Sequence, residues 1–211
     1  MLDEGGARPP EFFAAEIKKR APAFGLILEP RPAARLARYL VELDRWRRRT
    51  NLTGPLPSEE LVIHALESSL GEKVIAHGTR LLDIGSGAGF PGLPIAIIRP
   101  DLSVVLLEPR RRRAAFLRHA ARAVPVENAE IREERVQSIA GQAFDVAAVR
   151  AVGSLAETLG NADFLRARGR LLAWTTDPRG MAQSLEAVFR LETTVSISGT
   201  RNRCLAVLEK R

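Results

Sequence analysis

Residues 81–92 read LLDIGSGAGFPG, an apolar run followed by an acid and then Gly85, Gly87, Gly89 and Gly92 within eight positions. Glycine alone adopts positive φ at little cost, and its missing side chain lets another molecule lie against bare main-chain amides. This density at a strand-to-helix turn therefore points to a small-molecule site. Glu108 closes the next apolar run, SVVLLE, where nucleotide-binding sheets place the carboxylate that holds a ribose. Two glycine registers coexist. From Gly87 the chain formally matches the dinucleotide fingerprint, but two residues late and with Pro91 inside the turn. From Asp83 it reads acid-x-Gly-x-Gly-x-Gly directly after the strand, the arrangement associated with S-adenosylmethionine, and this register is favoured. A purely structural turn is the bland alternative.

The chemistry around the bend separates these cofactors. A hydride-transferring enzyme needs a proton relay, yet Tyr39 is the single tyrosine and has no lysine four residues later. Methyl transfer asks less, because the sulfonium methyl is already electrophilic and the protein mainly positions it. Methylation of an exocyclic amine usually relies on an Asp/Asn-Pro-Pro-aromatic motif after the fourth strand, where this chain has Val149-Arg150-Ala151. Methylation at pyrimidine C5 needs a cysteine nucleophile, and Cys204 sits in the last expected strand as a small core residue. A ring nitrogen such as guanine N7 carries a free lone pair and needs no base, which suits a site without an evident His or Asp dyad.

The elements that must position these residues follow from periodicity. Helical spacing predicts helices over 12–23 and 32–49, the latter with Leu36, Leu40 and Leu43 on one face, a turn over 51–58, and a helix from Ser58 to Leu70. Residues 1–78 are thus expected as a helical extension, and 79–211 as the methyltransferase domain. From Thr79 onward, short apolar runs alternate with helical patterns: LLDI, SVVLLE, AEIRE, FDVAAV and GRLLAW are expected strands. Such alternation predicts an α/β fold with a mostly parallel sheet, helices on both faces and ligands at the carboxyl ends of the strands. Thr193–Ser198 and Cys204–Leu208 form two more expected strands, the final one antiparallel.

The chain has 211 residues, 45% of them hydrophobic, and a formal charge of +7 dominated by arginine, which favours phosphate-rich partners. Arg45, Arg47, Arg48 and Arg49 end one expected helix and Arg110 to Arg113 open another, so each cluster is a candidate RNA grip or a plain solvated surface. Asn51 is a candidate reader of a guanine edge or an ordinary turn residue. His64 is expected to be a satisfied helix histidine. One cysteine excludes an internal disulfide framework, and the N-terminus lacks the basic and apolar regions of a signal peptide. No membrane association and a cytoplasmic location are expected, with no metal site and most simply a monomer.

Taken in order, these residues resemble the ribosomal small-subunit methyltransferase G family, also called glucose-inhibited division protein B. Trp46-Arg47-Arg48-Arg49-Thr50-Asn51-Leu52-Thr53 is similar to the family's Trp-Asn-x-x-x-Asn-Leu-Thr, and His64-Ala65-Leu66-Glu67-Ser68 to its His-x-x-Asp-Ser. LLDIGSGAGFPGLPIAI with Pro91 and Pro94, Leu107-Glu108, Arg112-Arg113, Phe116-Leu117, Arg135-Val136 and Arg150-Ala151 continue the match. The resemblance implies a class I methyltransferase fold, Rossmann-like, that moves a methyl group from S-adenosylmethionine to N7 of guanine 527 in the 530 loop of bacterial 16S rRNA, with the small ribosomal subunit or its precursor as partner. It further implies cofactor contacts from Gly85, Gly87, Phe90, Glu108, Val136, Gln137 and Arg150, no catalytic acid or base, and a substrate contact from Arg203. The alternatives are methylation of another RNA nucleoside, or a noncatalytic RNA-binding or assembly protein on the same fold. The chain departs from the family where Trp174-Thr175-Thr176 replaces Leu-Lys-Gly, where Ile63 replaces an arginine, and where Glu67 and Glu108 replace Asp.

Overall fold

A computed structural model describes residues 6–151, 153–198, 200 and 202–211. Helices α1 (Pro10–Arg20), α2 (Pro30–Arg47) and α3 (Ser58–Ser69) precede the sheet. There follow β1 (Arg80–Ile84), α4 (Gly92–Ile98), β2 (Ser103–Leu107), α5 (Arg111–Ala123), β3 (Ala129–Arg132), β4 (Phe144–Arg150) and α6 (Leu155–Leu159). The chain ends with β5 (Leu165–Thr175), α7 (Pro178–Ser184), β6 (Phe189–Ser196) and β7 (Cys204–Lys210). Among the described residues the strands form one sheet in the order β3-β2-β1-β4-β5-β7-β6. All neighbours pair in parallel except β7, which lies antiparallel between β5 and β6, as expected for the final strand.

Strand side chains alternate between the two faces, and the core divides accordingly. Leu81, Val104, Leu106, Val146, Ala148, Leu172 and Leu205 face α4 and α5, over which the three N-terminal helices are layered in the same apolar cluster. Leu82, Ile84, Val105, Leu107, Ala147, Val149, Leu171 and Ala173 face the other way, against Leu159, Leu185 and the turn Val136–Ile139. The order of strands reverses beside β1, between its neighbours β2 and β4, so the crevice at its carboxyl end opens where an open α/β sheet binds ligands.

Two boundaries and one unforeseen helix differ from expectation for identifiable reasons. The first helix ends at Arg20 and Ala21–Phe24 tighten into a 3-10 turn, because Pro22 offers no amide to continue an α-helix. Helix α7 escaped the periodicity analysis because none of its residues is buried. Its local signal is the start Asp177-Pro178, where the Asp177 carboxylate caps the Gly180 amide at 2.9 Å. Strand β6 begins four residues before the expected Thr193, and Arg190 in that added stretch reaches Glu209 of β7 at 3.0 Å.

Candidate active site

The bend after β1 takes the acid-x-Gly-x-Gly-x-Gly register. Gly85, Gly87 and Gly89 lie at φ +74°, +56° and +99°, the left-handed region where side chains are strained. Gly92, the last glycine of the competing register, is instead the first residue of α4. It packs so closely on the acid that a Cβ there would lie 2.5 Å from Asp83 Oδ2.

Asp83 is completely buried, and its Oδ2 accepts from the Gly92 amide at 3.0 Å. Its Oδ1 has no hydrogen-bond partner among the described residues. Burial pushes the carboxyl up to about 7; the Ser86 hydroxyl and the Gly92 amide oppose the rise and the Glu108 charge adds to it. A buried acceptor without a donor is costly, so this oxygen fits a ligand that brings one.

Glu108 sits one residue beyond β2 and is 3% exposed. Its Oε2 accepts from the Gly87 amide and its Oε1 from the Arg110 amide, both at 2.9 Å, which ties the bend to the start of α5. A carboxylate offers about four lone-pair sites, so acceptor capacity remains for the hydroxyls of a sugar. The bare bend, the orphaned Asp83 oxygen and this carboxylate together fit the polar edges of a nucleoside.

The helical extension braces this bend. Tyr39 is buried in α2 and its hydroxyl donates to the Ala88 carbonyl at 2.6 Å. The Phe90 ring meets those of Tyr39 and His64 edge-on, each at 5.9 Å, and the Arg150 guanidinium at 5.8 Å. Arg150 ends β4 and was expected to face the cofactor. The structure turns its guanidinium onto α3, where it donates to His64 O at 3.1 Å, Ser68 Oγ at 3.2 Å and Glu67 Oε2 at 2.7 Å, and lies 2.6 Å from His64 Nδ1. Arg203 donates to the other Glu67 oxygen at 2.8 Å. Burial raises the Glu67 pKa, but the His64 hydrogen bond and the two arginines outweigh it and hold the carboxyl at about 2. Trp174 ties β5 to the same helix by donating to Glu67 O at 2.7 Å.

Sequence reasoning singled out Arg150 and Arg203 but missed Tyr39 and Glu67 as the residues that hold the site together. For Tyr39 the available signal was a phenol on the apolar stripe of Leu36, Leu40 and Leu43. Val136 is buried while Gln137 is exposed, and both line a cavity of about 200 Å³ with Thr158 and Leu159.

The arginine clusters separate into members held within the fold and members exposed to solvent. Arg47 is internal: it donates to Asp44 Oδ1 at 2.7 Å, to Ser58 Oγ at 3.2 Å and to the Leu56 carbonyl, pinning the 51–57 turn. Arg47 is thus neither of the two things expected of its cluster, an RNA grip or a solvated surface. Arg113 donates to Asn51 O at 3.4 Å, and its Nη1 lies 3.6 Å from where a Gly87 Cβ would stand. Arg110, Arg111 and Arg112 are exposed at the start of α5, the end where the helix dipole disfavours cations and a bound phosphate would offset both. Asn51 proves a turn residue, its Oδ1 accepting from the Gly54 amide at 3.2 Å. Cys204 is buried, as expected for a core position.

Comparison with known proteins decides the family. A family model described as rRNA small subunit methyltransferase G matches residues 33–195. The chain belongs to this family. A ribosomal RNA small subunit methyltransferase G from Nitrosospira multiformis is 37% identical over 160 residues, covering 74% of this chain and 73% of that protein. The relative of the same name from a Roseiflexus species is 35% identical over 212 residues, covering 90% and 88%. Among solved structures, a SAM dependent methyltransferase from Aquifex aeolicus aligns with a TM-score of 0.56 at 15% identity, covering 68% of this chain and 88% of that one. A ribosomal protein L11 methylase from Lactobacillus delbrueckii aligns at 0.59 and 13%, covering 71% and 79%. At these identities the structural likeness speaks for the fold, which is the class I methyltransferase fold, and the family is one of S-adenosylmethionine-dependent methyltransferases.

Proposed function

We propose that this protein transfers a methyl group from S-adenosylmethionine to N7 of a guanosine in small-subunit rRNA, guanine 527 of the 530 loop. The observation that carries the reading is the glycine bend closed by Glu108 above a buried, half-unpartnered Asp83, set in a chain of the rRNA small subunit methyltransferase G family. The bound cofactor supplies an electrophilic methyl on a sulfonium. The protein does the rest by placement. The bare main chain at Gly85 and Gly87 lets the donor lie against the bend, the unpartnered Asp83 oxygen accepts from it, and Glu108 accepts from its ribose hydroxyls. Phe90 walls the crevice, with Arg150 acting through it, while Val136 and Gln137 extend the wall past β3. Guanine N7 presents a lone pair at neutral pH, so no side chain has to take a proton; the fold needs only to bring two groups into line. Arg203 and the exposed arginines at the start of α5 face the RNA.

Residues 1–78 form the helical extension in this reading, whose described part, from residue 6, braces the bend of the 79–211 methyltransferase domain. No helix among the described residues is long and apolar enough to cross a membrane. We place the enzyme in the cytoplasm as a monomer, acting on 16S rRNA within the small subunit or its precursor. Calorimetric titration tests the cofactor reading: S-adenosylmethionine binds and a nicotinamide dinucleotide does not. Absence of any S-adenosylmethionine binding leaves only a noncatalytic RNA-binding protein.

A further inference from the structure

Beside the bend lies a trough that the methyl-transfer chemistry does not use. Two adjoining cavities of about 520 and 800 Å³ share Arg48, Arg49 and Thr50. The floor of the first is aromatic: the half-buried Trp46 ring lies 5.2 Å from that of His119, tilted by 38°, and 5.7 Å from Phe116 behind it. Glu42, the one carboxylate lining this first cavity, is engaged by His119 Nε2 at 2.7 Å and by Arg45 at 3.0 Å. The rim therefore keeps an excess of positive charge. Arg45 is 60% exposed. Arg49 is exposed, and its guanidinium makes no hydrogen bond or ion pair with the described residues. The second cavity runs along the 51–57 turn, whose Asn51 carbonyl receives the Arg113 guanidinium that stands over Gly87. The trough thus ends against the bend.

Flat rings on the floor and guanidinium forks on the rim match single-stranded nucleic acid, whose bases offer faces for stacking and whose phosphates suit arginine. An acidic peptide would use the rim and leave the rings unused. We propose that this trough is a second RNA site, which takes the single-stranded segment flanking the target nucleotide, with a base against Trp46 and His119 and phosphates on Arg45 and Arg49. The inference rests on the methyltransferase reading and deepens it by separating RNA capture from methyl transfer.

The test uses the full-length protein, a short single-stranded RNA and tryptophan fluorescence. RNA quenches the emission of the wild type, and Trp46→Phe removes most of that quenching; Trp174, the other tryptophan, accounts for the rest. Each single-strand phosphate contact adds about 0.7 to the salt slope, a factor of about 4 at about 0.15 M salt, so Arg45→Ala with Arg49→Ala weakens RNA binding more than about tenfold and lowers the slope by about 1.4. S-adenosylmethionine affinity of the double variant, measured separately, stays within twofold. RNA affinity and slope equal to wild type in that variant overturn the site, as does quenching in Trp46→Phe equal to that of the wild type. Equal binding of a polyglutamate peptide, with equal quenching, overturns the nucleic-acid assignment. Quenching and salt dependence as described, in a protein that methylates no RNA, uphold the trough and refute the activity instead.

Discussion

Replacing Glu67 by Gln keeps the shape of the side chain and removes the charge on which α3, the end of β4 and the β6–β7 connection converge. The structure gives the size of the effect by two routes. Displacement of the carboxyl from 4.5 to about 2 corresponds to about 3 kcal/mol, at about 1.36 kcal/mol per pH unit. Alternatively, removing one partner from a buried ion pair costs about 3–5 kcal/mol. Arg150, with 15% of its side chain exposed, is left stranded, whereas Arg203 at 43% rehydrates, which favours the lower end. Both routes give about 3 kcal/mol at pH 7, a fall in melting temperature of roughly 6–12 °C for a chain of this length. Because the folded-state pKa is depressed, this stabilisation is fully present above about pH 4.5 and fades as the pH drops toward about 2. Urea denaturation followed by circular dichroism, repeated across that window, reads the gap between wild type and Glu67→Gln. A gap below about 0.5 kcal/mol at pH 7, or one that does not narrow on acidification, refutes the reasoning.

Other perturbations address the bend. In Gly89→Ala the added Cβ stands 2.7 Å from Leu93 Cδ1 and 3.0 Å from the Tyr39 hydroxyl at a φ of +99°. We expect a loss of about 2 kcal/mol or more and no measurable S-adenosylmethionine binding, checked by thermal unfolding and calorimetry. Tyr39→Phe leaves the buried Ala88 carbonyl without its donor, which costs about 1–3 kcal/mol in urea denaturation; a change below that range contradicts the bracing role. Asp83 titrates at about 7, and a cationic donor favours its ionised form. S-adenosylmethionine binding therefore tightens as pH rises, by up to about tenfold per unit below about 7, and releases protons in calorimetry compared across buffers. A flat profile between pH 6 and 8 counts against contact with Asp83.

Much of this site was legible because local chemistry dictates it. Positive φ at three closely spaced positions demands glycine, so the bend and its register were visible in the residues themselves, and Glu108 followed from where the second strand had to stop. The parallel sheet was legible from apolar runs separated by helical patterns. The direction of Arg150 was not, because it depends on Glu67, which lies 83 positions earlier in the chain and in another layer. Arg47 and Arg49 are indistinguishable in sequence, two members of one basic run. The structure separates them because helix geometry places Asp44 and the 51–57 turn within reach of Arg47 and not of Arg49. Tyr39 carried a polar tip whose partner, a loop carbonyl 49 residues away, no periodicity reveals.

The central claim is tested most directly by incubating the protein with tritium-methyl S-adenosylmethionine and small ribosomal subunits that lack the modification, then mapping the labelled base. The account predicts label at N7 of a single guanine in the 530 loop of 16S rRNA. Label on adenine, or on large-subunit RNA only, contradicts it.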